Sequence, residues 1–62
     1  MNRFQRMALA EKDLAVKDLA TLLDKHASYI SSVLSGKFPG EMLRGKISKI
    51  LQKPETYLWP DK

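Results

Sequence analysis

Sixty-two residues allow one domain, which at this size buries only about 60% of the surface its unfolded chain exposes; 44% hydrophobic and 29% charged residues make a folded chain and not a disordered one. With no cysteine, and apolar runs far short of the roughly 20 residues of a membrane span, disulfides, thiolate metal sites, membrane helices and an apolar leader are not expected, and a cytoplasmic protein is. The net charge of +4 is unevenly spread: acids and bases cancel through Asp24, whereas residues 25–53 carry six cations against Glu41 alone, a bias suited to a polyanion whose neutralised phosphates release counterions.

No glycine or proline precedes Gly36, so the first half of the chain is open to helices. Within residues 3–12, Phe4, Met7 and Ala8, with Glu11 next along, share one face at helical spacing and predict a short first helix. Arg3, Arg6 and Lys12 are then left to water or a ligand. The pattern changes phase around Asp13 to Ala15, and Leu19, Ala20 and Leu23 predict a second helix from about Val16. Asp24 tolerates the left-handed conformation that leads a chain out of a helix, so a tight turn is expected over Asp24 to His26. From Ala27 to Ser35, Ile30, Val33 and Leu34 take one side and serines most of the rest, and Gly36 caps the end. After a loop over residues 37–40, Leu43, Ile47, Ile50 and Leu51 mark a fourth helix, with Gly40 as N-cap and Glu41 at its positive end. Pro54 is expected at the first position of a last short turn that returns Leu58 and Trp59 to the core. The expected fold is all-α, a compact bundle of about five short helices forming a single domain over residues 1–62, with no repeat and no linker.

The segment Leu19 to Lys37, LATLLDKHASYISSVLSGK, resembles the helix-turn-helix of the phage repressor and Cro superfamily, whose members commonly read L-A-x-x-L-G-V-S-x-x-x-I-S-x-I-x-x-G-K. Leu19, Ala20, Leu23, Ile30, Ser31, Val33, Ser35, Gly36 and Lys37 fall in register without a gap, and Asp24 stands where glycine is usual. Alanine at position 20 has a physical reason to be small, since there the first helix of the motif passes closest to the second. Further on, Phe38-Pro39, Lys53-Pro54-Glu55 and Trp59-Pro60 resemble the W-P and K-P-E-x-I-W-P elements of Ner-type regulators of transposable phages, with one extra residue between the elements and one within the last.

This resemblance implies a lambda-repressor-like DNA-binding domain with its recognition helix in the major groove and the preceding helix across the phosphates. Carried over by position, it implies that Ala27, Ser28 and Ser32 face base edges, that His26 and Tyr29 flank them, and that Lys25, Lys37 and Arg44 meet phosphates. Four serines in nine residues are poor helix formers, which stability alone would not select. No Arg, Asn or Gln lies between Lys25 and Gly36 to make the bidentate contacts of the strongest direct code. Direct readout is therefore expected to be modest, with DNA shape, phosphates and Arg3 and Arg6 near a minor groove adding to it.

Catalysis is not expected. Asp24, His26 and Ser28 lie two apart, where helical neighbours do not face each other, and no glycine loop offers an oxyanion site. A lone histidine gives no zinc pattern, and Gly36-Lys37 lacks the rest of a phosphate-binding loop. Lys46, Lys49 and Lys53 alternate with Ile47 and Ile50, which reads as a wet face beside a core face before it reads as a site for acidic lipid. The expected protein is a transcriptional regulator, a phage or prophage repressor, that binds double-stranded DNA, as a homodimer on the duplex, with no metal, cofactor, small-molecule substrate or membrane. An antitoxin or excision-type accessory factor on the same scaffold is the nearer alternative, ranked second because no acidic or apolar tail follows Trp59. A helical protein-interaction module is the other.

Overall fold

The computed structural model describes Met1–Pro60. Five helices follow one another: α1 (Arg3–Glu11), α2 (Val16–Leu23), α3 (Ala27–Ser35), α4 (Glu41–Leu51) and α5 (Glu55–Leu58), with no strand among the described residues. The all-α bundle of five short helices expected from the sequence is the fold observed.

Four of the helices stop in the same way. Asp13, Asp24, Gly36 and Gln52 adopt left-handed backbone with φ of 55°, 56°, 89° and 58°. The following N–H then reaches back five residues: Leu14 to the Leu9 carbonyl, Lys25 to Ala20, Lys37 to Ser32 and Lys53 to Ser48. These bonds occupy carbonyls that a helix end otherwise leaves without partners. Side chains do the same at the starts. The Asn2 Oδ1 accepts the Gln5 N–H at 2.8 Å, and the Asp18 carboxylate accepts the Ala15 N–H at 2.7 Å. Pro54 sits one residue earlier than expected. Its extended ψ of 155° makes it the N-cap of α5 rather than the first helical residue, and its carbonyl takes the Tyr57 N–H.

The core joins Ala8 and Leu9 of α1 to Leu19, Ile30, Val33, Leu34, Ile47, Leu51 and Leu58 of the other helices and to Trp59. α1 corrects the expected face. Ala8 is buried as expected, but its neighbours inside are Leu9 and Gln5, while Phe4 and Met7 are exposed. The helix is turned this way by its polar side chains. The Asn2 Nδ2 donates to the Leu58 carbonyl at 3.0 Å, and the fully buried Gln5 Nε2 donates to the carbonyls of Leu34 at 2.9 Å and Leu58 at 2.8 Å. Two helix ends thereby gain hydrogen bonds that no apolar residue could supply. Phe4 settles for an edge-on contact with the Tyr57 ring at 5.4 Å.

Candidate nucleic-acid interface

α2 packs most extensively on α3, and Ala20, small and buried, lies in α2 on the side of the core. The left-handed Asp24 and the Lys25 N–H bond to the Ala20 carbonyl, 2.9 Å, reverse the chain within three residues. His26 then caps α3. Its Nδ1 accepts the Ser28 N–H at 3.3 Å and lies 2.9 Å from the Ser28 hydroxyl. With Nδ1 engaged at Ser28, the other ring nitrogen, Nε2, is left with no protein partner among the described residues.

The inner face of α3 is Ile30, Val33 and Leu34, all buried. Its far end is held from two sides: Gln5 bonds the Leu34 carbonyl, and the Trp59 indole N–H donates to the Val33 carbonyl at 3.2 Å. The outer face, at spacings of three, one and three, is Ser28, Ser31, Ser32 and Ser35. Ser28, Ser31 and Ser35 are exposed and Ser32 is half-buried. Their hydroxyls are not equivalent. Ser35 donates to the Ser32 carbonyl at 3.1 Å and so turns its lone pairs outward as an acceptor, while the Ser28 hydroxyl is engaged with the His26 ring. Tyr29 flanks this stripe, its ring 5.5 Å from that of Phe38.

The eight residues implied by the resemblance are therefore only partly gathered. Lys25, His26, Ser28, Tyr29 and Ser32 lie along one turn and the first two-thirds of α3, and Lys37 is exposed just past its far end. Ala27 is half-buried against the core, so its methyl is only partly available to a ligand. Arg44 stands apart on α4. Its guanidinium lies 4.8 Å over the Trp59 ring, it shares a hollow with Ser35 and Gly36, and its buried Nε has no partner among the described residues.

Comparisons with protein-family models, with characterised proteins and with solved structures find no match for this chain.

Ser31 and Ser35 belong to the exposed stripe but were not among the residues carried over by position. The helical spacing from Ser28 is the signal that finds them. Arg3 and Arg6 lie within α1 and not on a free arm. A helix about 10 Å across cannot follow them into a minor groove about 6 Å wide, so only the arginine side chains could reach in. Of the basic surplus, Lys53 is drawn off by Glu11 at 3.2 Å and by the Tyr57 ring at 5.1 Å. No group of three His, Asp or Glu side chains gathers among the described residues, and no helix there is long and apolar enough to cross a membrane.

Proposed function

We propose that this protein is a sequence-specific double-stranded DNA-binding regulator of transcription that lays the serine face of α3 in the major groove. The observation that carries the reading is that stripe of short, exposed hydroxyls on a helix pinned at both ends, with Lys25 before it and Lys37 after it. Short side chains let the helix come close to base edges, and lysines at its two ends suit the phosphates on either side. Ser35, as an acceptor, suits the exocyclic amines of adenine and cytosine in that groove, and the unpartnered His26 Nε2 suits a phosphate or a base edge. The role as a repressor and the phage or prophage setting rest on the resemblances of residues 19–37 and of Phe38-Pro39, Lys53-Pro54-Glu55 and Trp59-Pro60.

The test is a salt titration of binding to random and selected duplexes. With Lys25, Lys37 and Arg44 on phosphates, log K should fall with a slope of about −2.7 against log salt, or about fortyfold between 50 and 200 mM. An affinity indifferent to salt, or no binding in dilute buffer, would end the proposal. The modest direct readout is tested separately: single base changes that each cost more than about 3 kcal/mol would contradict it.

A further inference from the structure

Phe4 and Met7 are 36% and 51% exposed on α1, three residues apart and so neighbours on its surface. Phe4 meets the half-buried Tyr57 ring of α5 edge-on, which joins the three into one apolar patch across two helices. Cations edge it. The Arg3 guanidinium lies 5.8 Å over the Phe4 ring, the Lys53 ammonium lies over the Tyr57 ring, and Arg6 follows on the side of Met7 away from Phe4. Glu11 neutralises Lys53, but Arg3 and Arg6 have no carboxylate within 4 Å among the described residues. We propose that this α1–α5 face docks a short acidic segment of another protein, which sets an aliphatic or aromatic side chain on Phe4, Met7 and Tyr57 and carboxylates on Arg3 and Arg6. The inference goes beyond the DNA-binding reading and does not depend on it.

Charge and chemistry select the occupant. A second copy would set one net-positive face against another, which repels. A duplex would satisfy the arginines and leave Phe4 and Met7 against phosphates. An anionic bilayer holds basic helices by burying a long apolar face, and one methionine with two ring edges is too little for that. An acidic segment with an apolar anchor matches both parts of the surface. Each arginine offers a planar fork to a carboxylate, and the flexible thioether of Met7 fits anchors of different shape. Position fits as well. Arg3 and Met7 lie about 160° round α1 from Gln5, whose amide reaches the end of α3, so an occupant of this face leaves the serine stripe uncovered. Gln5, Ala8 and Leu9 seat the helix from its other side, so the outward Met7 is not needed for that. Size sets the strength. The exposed apolar area is on the order of 200 Å², well under the about 800 Å² that each partner of a stable complex buries, so the contact is transient, with a Kd on the order of 100 µM.

The experiment is an NMR titration of the isotope-labelled full chain with a helix-forming peptide of about 16 residues, in which leucine and phenylalanine recur at three- and four-residue spacing and glutamates flank them. Three controls accompany it: the peptide with lysine for glutamate, the peptide with alanine for its apolar residues, and vesicles containing phosphatidylserine. The acidic peptide should bind at about 100 µM with shifts centred on Arg3, Phe4, Met7 and Tyr57, and each control should bind at least tenfold more weakly. Met7→Gln should weaken the peptide at least fivefold with the melting temperature unchanged. Arg3→Glu with Arg6→Glu should lose the acidic peptide and gain the lysine peptide, a reversal that unfolding cannot produce. No saturable binding up to about 1 mM, or shifts centred on Lys25 and Lys37, overturns the proposal. So does equal binding of the alanine peptide, which reduces the contact to bulk charge, and so do vesicles that bind as tightly as the peptide, which give the face to lipid. A duplex affinity that falls for Met7→Gln as far as the peptide affinity gives the patch to DNA and overturns it too.

Discussion

Replacing Gln5 with leucine tests whether a buried amide, and not apolar packing, sets the seat of α1. Its Nε2 serves the Leu34 and Leu58 carbonyls and its Oε1 takes the Asn2 N–H at 3.2 Å. Leu58 keeps a donor in the Asn2 side chain and the half-buried Asn2 N–H regains water, so the group left stranded is the Leu34 carbonyl at the end of α3. A buried polar group without a partner costs about 1–3 kcal/mol, with the lost net bonds adding to it and leucine's apolar surface offsetting part, for a loss of about 2–3 kcal/mol. A domain of this length stands only about 3–9 kcal/mol above its unfolded state, and each kcal/mol moves the midpoint by about 4–8 °C, so the melting temperature should fall by about 10–20 °C. Urea unfolding followed by the fluorescence of Trp59, which bonds the adjacent carbonyl of the same helix end, reads the junction directly, with far-UV dichroism as the second probe. Gln5→Glu sharpens the test. It keeps the shape but sets a carboxylate against two carbonyls, and should cost more than leucine at neutral pH. A loss below about 1 kcal/mol for leucine, or a glutamate milder than leucine, would refute the assignment.

The glycines of the α3–α4 connection should differ. A Cβ on Gly40 would lie 2.8 Å from the buried Val33 Cγ2 at a φ of 47°, so Gly40→Ala should cost about 2–4 kcal/mol, whereas Gly36→Ala, with nothing within 4 Å, should cost about 1 kcal/mol in chemical denaturation. Asp24→Gly relieves a left-handed non-glycine residue and removes a carboxylate beside Lys25; stability should rise by about 0.5–1 kcal/mol in the same assay and duplex affinity should rise at low salt. Lys25→Ala should reduce the slope of log K against log salt by about 0.9 with no change in sequence preference, which anisotropy titrations on two unrelated duplexes would read. Ser31→Ala with Ser32→Ala should stabilise α3 by up to about 1 kcal/mol while weakening duplex binding, and a binding constant left unchanged would remove those hydroxyls from the interface.

Apolar spacing carried most of the fold. Leu19, Ile30, Val33, Ile47 and Leu51 are buried where their period puts them, and Asp24 and Gly36 turn the chain where left-handed backbone was expected. The first helix lies where expected, but its buried face differs because Phe4 and Met7 carry a stronger apolar signal than Gln5, and the value of Gln5 depends on carbonyls 29 and 53 residues away. No local pattern encodes such a partner. The left-handed Asp13 and Gln52 escaped for a related reason: neither is glycine, and each is held by the backbone bond that follows it. At the candidate site, the serine stripe and its cations were legible from helical spacing and charge. The cap made by His26 was not, because histidine is not among the preferred capping residues and its role emerges only from the Nδ1 contacts. Nor could a one-dimensional pattern reveal that Arg44 turns its guanidinium onto Trp59, fifteen residues on.

These observations explain how so short a chain can leave an outward face free of structural duty. Serine is a weak helix former, and a nine-residue helix is not stable by itself in water. α3 is nevertheless held by three apolar residues along its length, by Gln5 and Trp59 on two of its last carbonyls, and by His26 on its first turn. Each of those contacts lies on the inner face or at an end. The outward serines therefore carry little of the fold's stability, and substitutions there can test the proposed recognition surface without unmaking the helix that presents it. In a protein with one small core, the proposed recognition surface and the residues that stabilise the fold are kept apart by which side of a single helix they occupy.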